Sequence, residues 1–291
     1  MTAQQDHSWR SLLYVPGNNE RFIARAQSRG AGAIVLDLED SVPDDRKAEA
    51  RDMTAAAIGD LREGPSRLMV RINGGLRLAV PDLEAVVQPG LAALFVPKCE
   101  AGEKLRLISD LVSELEAERG MPVGAVGLVA MIESPRGLHS ADRIACADRR
   151  VRALILGSED FATAAGMMPT PEALLLPRQQ IVFAARAAGI VPLGLLDSVA
   201  NYRDAEHVAA VAQRARAFGF RGATCVHPNM VPILNAAFRP SAAETDWARG
   251  VLHAMDAAHA AGRGAAVFEG RMVDKPMLDR AREILASDEA S

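Results

Sequence analysis

Cysteine is scarce: three in 291 residues, Cys99, Cys146 and Cys225, far apart and with no Cys-x-x-Cys pair. That spacing excludes a disulfide framework or a zinc site and predicts reduced thiols in a cytoplasmic protein. The six histidines show no zinc-ligand spacing either. Lysine- and arginine-rich runs are missing and the net charge is -4, so the positive field that nucleic acid demands is not there. Arg149-Arg150 and the scattered arginines read as solvated surface. No apolar stretch is long enough to span a bilayer, and Trp9 and Arg10 fall where a signal peptide needs its apolar core, so no membrane association is expected. Internal repeats, low-complexity tracts and a repeated Gly-x-Gly-x-x-Gly are also lacking.

What is present is an ordinary soluble composition, 49% hydrophobic and 24% charged, with enough apolar residues for a sizeable core. The length allows one large domain or two small ones. Short apolar runs predict eight strands: 12–15, 33–36, 68–72, 94–96, 127–132, 151–156, 191–196 and 223–226. Helices are expected over 20–29, 44–61, 103–119, 177–188 and 204–218. Strand followed by helix, eight times over, predicts a closed (β/α)8 TIM barrel rather than an open dinucleotide-binding sheet. On this reading 1–239 form the catalytic barrel and 240–291 a C-terminal helical extension, with helices near 247–261 and 277–285.

Chemistry concentrates where the strands stop. Gly127-Leu128-Val129-Ala130-Met131-Ile132 reads as a strand buried on both faces that halts at Glu133, and Val151 to Leu156 leads directly to Gly157-Ser158-Glu159-Asp160. Two successive buried strands that deliver acids to one edge suggest a shared site for a hard divalent cation, since Mg²⁺ is often held by one or two carboxylates plus waters and substrate. Taken singly, Glu133 could cap the turn before Pro135 and Asp160 the next segment. Other strands end in Asp37, Glu39 and Asp40, in Arg71, in Lys98, in Asp197 and in His227. In a parallel barrel the carboxyl ends of the strands carry the catalytic groups, so this distribution points to an enzyme. Bland roles stand beside each: Arg71 as an ion-pair partner of Asp37, the acids at 37, 39, 40, 197 and 204 as helix caps, Lys98 as a solvated lysine, His227 as a turn residue.

Arg10-Ser11-Leu12-Leu13-Tyr14-Val15-Pro16-Gly17, Leu36-Asp37-Leu38-Glu39-Asp40-Ser41-Val42, Arg71-Ile72-Asn73, Pro97-Lys98, Ile132-Glu133-Ser134-Pro135 and Gly157-Ser158-Glu159-Asp160-Phe161 occur in that order. Val226-His227-Pro228 and Gly270-Arg271-Met272-Val273-Asp274-Lys275-Pro276 follow. Together they resemble the citrate lyase β-subunit-like proteins of the HpcH/HpaI aldolase and citrate lyase superfamily, over about 10–285. The resemblance implies a Mg²⁺-dependent carbon–carbon lyase acting on coenzyme A or acyl-carrier thioesters of 3-hydroxy acids such as citryl, malyl or citramalyl. It implies Glu133 and Asp160 as metal ligands that bring in the substrate, Glu39 and Asp40 as acids holding metal-bound waters, and Arg71 as the arginine that meets the substrate. It implies Asp274 as an acid or base lent by a neighbouring subunit's C-terminal lid, hence a homo-oligomer, a trimer or hexamer. From the residues alone, Asp274 also suits the N-cap of the following helix. One departure is Ser198-Val199-Ala200-Asn201, which separates Asp197 from Tyr202 where a glycine and then an aromatic are expected close behind. Rival readings are a synthase or thioesterase on the same thioesters, a Schiff-base aldolase using Lys98, and a non-catalytic subunit of a lyase complex.

Overall fold

A computed structural model describes residues 9–197 and 202–289 of the chain; the Ser198–Asn201 departure lies outside them. In chain order the elements are β1 (Ser11–Pro16), α1 (Glu20–Ile23), β2 (Ala33–Asp37), α2 (Lys47–Leu61), β3 (Arg67–Arg71), α3 (Leu76–Val86), β4 (Leu91–Val96) and α4 (Gly102–Glu118). They continue with β5 (Gly127–Ile132), α5 (Pro135–His139), α6 (Ala141–Ala145), β6 (Val151–Leu156), α7 (Ser158–Ala165), α8 (Leu175–Ala187), β7 (Val191–Leu193), α9 (Ala205–Phe218), β8 (Ala223–Cys225) and α10 (Met230–Ala237). Last come α11 (Ala242–Ala260), a hairpin of β9 (Val267–Phe268) and β10 (Arg271–Met272), and α12 (Lys275–Glu289).

Strands β1 to β8 are parallel neighbours in the order β7-β6-β5-β4-β3-β2-β1-β8, and a bridge from Leu193 to Gly222 brings β7 back against the run into β8. The result is the expected TIM barrel. Gly222 is required at that seam, because a Cβ there would sit 1.8 Å from the carbonyl oxygen of Trp9. Side chains alternate along the strands with period two. Leu12, Ala33, Val35, Met69, Ala93, Phe95, Val129, Met131, Ala153, Ile155 and Leu193 fill the barrel, with Trp9 at its lower end. The intervening residues, among them Leu13, Ile34, Leu36, Val70, Leu94, Ala130 and Leu154, face the helices in a second cluster. Both faces of each strand are therefore apolar, which is why the strands read as near-continuous hydrophobic runs.

Several local expectations are corrected. The helix expected over 20–29 ends at Ile23 and resumes only as a short 3-10 turn at Gln27–Arg29. Strand β7 stops at Leu193 rather than 196, where the chain leaves the sheet to meet Gly222. Helix α3, between β3 and β4, was not anticipated. It contains Pro81, and its buried Asp82 accepts from both the backbone and side-chain nitrogens of Asn73 and pairs with Arg51 at 2.9 Å. Arg150 is not solvated: it is 1% exposed and its guanidinium donates to Glu116 (Nη1 to Oε1, 2.9 Å). Helices α11 and α12 and the hairpin gather their own apolar cluster, tied to the barrel by Arg216 with Glu244 and by Arg186 and Arg221 with Glu283. Among the described residues no helix is long and apolar enough to cross a membrane.

Candidate active site

The inward-facing positions of β2, β3 and β5 run Ala33, Val35, Asp37; Met69, Arg71; and Val129, Met131, Glu133. A polar tier thus caps the apolar tiers at the carboxyl mouth, where the inward alternation passes from apolar to charged residues. Register places Asp37 and Arg71 side by side. Arg71 forks onto Asp37, Nε to Oδ1 and Nη2 to Oδ2, both at 2.7 Å. Its remaining Nη1 meets Asp40 at 2.9 Å and Glu39 at 3.0 Å. Asp37 also accepts the backbone N–H groups of Glu39 (3.0 Å) and Ser41 (3.1 Å), which curls the acid loop over the mouth. Burial pushes the Asp37 carboxyl up, but the guanidinium beside it and these N–H donors outweigh burial and hold it below the usual carboxylate range. From beneath, the buried Lys47 donates to the carbonyls of Leu38 (2.8 Å) and Glu39 (2.7 Å), so the loop cannot lift freely.

Glu133 is 5% exposed. Its Oε2 accepts the backbone N–H of Lys98 at 2.7 Å, and Lys98 turns that N–H inward from a left-handed backbone conformation (φ 54°) that non-glycine residues rarely adopt. Room for the carboxylate comes from Gly157 just after β6, where a Cβ would lie 2.5 Å from Glu133 Cγ. Burial is the main force raising the Glu133 carboxyl to about 7; the Lys98 N–H opposes it, and the charges of Glu39 and Asp160 add to it. Asp160 occupies the first turn of α7, exposed on the same rim, and its field reaches both Glu133 and Lys98. Asp160, in the first turn after β6, is thus near enough for its charge to help raise the Glu133 carboxyl. Burial likewise raises Glu39, against the opposing charge of Arg71, and its Oε1 stands 3.3 Å from Lys98 Nζ. Glu39 in turn raises the Lys98 ammonium, keeping that lysine protonated.

Other sequence candidates are engaged in contacts of their own. Asp274 is exposed in the C-terminal extension and caps α12, its Oδ1 accepting from Met277 N at 2.9 Å. No hydrogen bond or ion pair joins it to the rim acids among the described residues. Asp197 meets His207 at 3.1 Å, Asp204 caps α9, and His227 stacks on Tyr202 with centroids 4.3 Å apart. Two site residues escaped sequence reasoning. Tyr14, on β1, places its ring 5.0 Å from the Arg71 guanidinium and buries a hydroxyl with no protein partner. Lys104, lowered by burial, donates to the carbonyl of Pro97 at 2.6 Å and so steadies the turn that presents the Lys98 N–H. The alternation of β1 marks Tyr14 as inward; nothing in the sequence marks Lys104.

The donor set suits a hard cation. It is all oxygen, and the buried Glu133 carboxyl is met by a neutral backbone N–H rather than by a cation's side chain. Among the described residues no three or more His, Cys, Asp or Glu side chains are placed to hold a metal ion together, so any cation here would rely on few protein ligands plus water or substrate.

Known proteins share this plan. The family model described as HpcH/HpaI aldolase/citrate lyase matches residues 10–228. Citrate lyase subunit beta of Leuconostoc mesenteroides subsp. cremoris is 34% identical over 95% of this chain and 92% of its own. A (3S)-malyl-CoA thioesterase of Cereibacter sphaeroides is 34% identical over 99% of this chain and 97% of its own. Among solved structures, CitE of Mycobacterium tuberculosis in complex with magnesium, acetoacetate and coenzyme A is 30% identical, with a TM-score of 0.73 over 96% of this chain and 97% of that one. A citrate lyase of Burkholderia xenovorans LB400, 22% identical, superposes with a TM-score of 0.81 over 96% of this chain and 91% of its own, a likeness of fold.

Proposed function

Because the chain belongs to the HpcH/HpaI aldolase/citrate lyase family, we propose that it is a magnesium-dependent carbon–carbon lyase. Its substrate is the thioester of a 3-hydroxy acid, of the citryl, malyl or citramalyl kind, and its products are a keto acid and an acyl thioester. The observation that carries this reading is the Glu133 carboxyl, raised to about 7 by burial and then by the charges of Glu39 and Asp160, on the same rim as the forked Arg71. Burial and the like charges of Glu39 and Asp160 disfavour its ionised form, and a bound cation would offset both. The magnesium and coenzyme A in the solved CitE complex, and the thioesterase's name, support Mg²⁺ and a coenzyme A substrate.

Glu133 and Asp160 would hold the metal, with Glu39 and Asp40 ordering waters around it. When bound, Mg²⁺ supplies Lewis acidity and a template for the substrate hydroxyl and its neighbouring carboxylate. Arg71, immobilised by its fork on Asp37, offers a preorganised positive charge to the enolate oxygen that develops as the carbon–carbon bond breaks. As the bond breaks the substrate hydroxyl gives up its proton and becomes the keto group, and Asp274, from the extension of a neighbouring subunit, returns a proton to the enolate carbon, or takes it in the condensing direction. Closure of that extension keeps water from the enolate and makes the working unit an oligomer. Leaving the α12 N-cap would cost Asp274 about 1 kcal/mol, within reach of substrate binding energy.

The second reading is hydrolysis, favoured by the thioesterase relative, which matches at the same identity over a larger share of both chains. A Schiff base through Lys98 is disfavoured by its pairing with Glu39, since the nucleophile is the neutral amine. Citryl-, malyl- and citramalyl-CoA incubated with and without Mg²⁺ and followed by mass spectrometry separate these outcomes. A lyase yields an acyl-CoA and a keto acid; a thioesterase yields free coenzyme A and the hydroxy acid. Turnover that persists in EDTA sinks the metal-dependent mechanism.

A further inference from the structure

At the other end of the barrel, where β3 to β7 begin, lies a cavity of about 1290 Å³. Arg62, Arg67, Arg149 and Arg152 line it, with Asp148 as the one acid among the lining residues. This is a concentration of positive charge on a chain whose net charge is -4. Asp148, whose Oδ1 accepts the backbone N–H of Arg150 at 2.8 Å, offsets one of these four charges. Arg62 has a surface partner in Glu63 at 3.2 Å. Two lining glycines leave the space that the arginine stems occupy. A Cβ at Gly127 would sit 2.8 Å from Arg152 Cγ, and one at Gly90 would sit 2.6 Å from Arg62 Cβ.

Two more lining residues carry buried polar atoms without a hydrogen-bond partner, Trp9 Nε1 and Ser66 Oγ. Trp9 and Ser66 are 5% and 4% exposed, so water does not readily satisfy either group. A buried donor left unpaired costs about 1–3 kcal/mol. Indole N–H and guanidinium are donors only, and a hydroxyl can donate. The ligand chemistry that answers all of them together is rich in acceptors and negatively charged.

We propose that this mouth of the barrel binds a small multivalent oxyanion, bearing phosphate or carboxylate groups, gripped by the guanidinium forks of Arg149 and Arg152 and by the Trp9 and Ser66 donors. The packed barrel interior separates it from the acids at the opposite mouth, so it is a site apart from the catalytic one.

The chain has two tryptophans, Trp9 and Trp247, so Trp247→Phe leaves Trp9 as the sole indole reporter. In that background at low salt, inorganic pyrophosphate and tricarballylate are titrated while emission is followed, with calorimetry in parallel. The expected result is a saturable, one-to-one change in Trp9 emission with at least one anion, and the arm that responds identifies phosphate or carboxylate as the class. Arg149→Gln/Arg152→Gln should weaken it at least about tenfold. If the double variant misfolds, the exposed Arg149→Gln alone should weaken it several-fold. Silence with both anions, heat without a Trp9 response, or unchanged affinity in the arginine variants overturns the proposal.

Discussion

Replacing Gly157 by alanine tests the buried carboxylate without touching a charged residue. The backbone tolerates the change, since φ -77° and ψ 91° are open to alanine. The added Cβ would stand 2.5 Å from Glu133 Cγ, 2.7 Å from Oε1 and 3.0 Å from Cδ, where ordinary contact begins near 3.4 Å. The largest deficit, 3.4 minus 2.5, is about 0.9 Å. Glu133 must retreat by that amount or swing out and abandon the Lys98 N–H at 2.7 Å. Misplacing a reacting constellation by about 1 Å costs roughly a hundredfold in rate, and overpacking a filled interior costs about 1–3 kcal/mol. Gly157→Ala is therefore expected to fold, to melt a few degrees lower, and to lose about two orders of magnitude in kcat/KM for thioester cleavage while needing more Mg²⁺. Steady-state kinetics against Mg²⁺, alongside thermal melts, measure this. A folded variant within about threefold of wild type at the same Mg²⁺ requirement would refute the reasoning.

Glu133→Ala and Asp160→Ala should each cut Mg²⁺-dependent turnover at least about a hundredfold, the scale of loss when even an outer partner of a metal ligand is removed; unchanged Mg²⁺ activation curves would contradict this. The metal-free protein should lose stability as pH rises. Below about 4.5 Glu133 is protonated in folded and unfolded chains alike and burial costs nothing; between 4.5 and about 7 only the unfolded chain sheds the proton. The loss is at most roughly 3 kcal/mol, at about 1.4 kcal/mol per pKa unit. Urea melts of wild type and Glu133→Gln across that range should diverge, and saturating Mg²⁺ should flatten the wild-type slope. Glu116→Ala should cost about 3–5 kcal/mol of stability by stranding the buried Arg150, far from the acid mouth; an unchanged denaturation midpoint would show that pair to be dispensable. Oligomers mixed from Asp274→Ala and Glu133→Ala chains should regain activity that neither variant has alone, and no recovery would count against a site shared between subunits.

The barrel was legible because its strands are buried on both faces, so each appears as an uninterrupted apolar run with a polar stop. The rim followed from the same rule: Asp37, Arg71 and Glu133 close the inward alternation at the carboxyl ends of their strands. Helix α3 was hidden by Pro81 and a buried Asp82, both of which argue locally against a buried helix. Arg150 passed for surface because its burial depends on Glu116, 34 residues away in sequence. Lys98 looked like a solvated lysine or a nucleophile, yet its backbone N–H reaches Glu133 and its ammonium reaches Glu39. A backbone donor is invisible in a side-chain inventory, and the left-handed turn that aims it is set by neighbours such as Lys104.

The most direct test of the central claim is crystallographic. Crystals soaked in Mn²⁺, which takes the oxygen ligands that suit Mg²⁺, can be read by anomalous scattering. The account predicts a single strong peak at the acid mouth, coordinated by the carboxylates of both Glu133 and Asp160. A peak that engages neither of them, or no peak there at a saturating Mn²⁺ concentration, would contradict it.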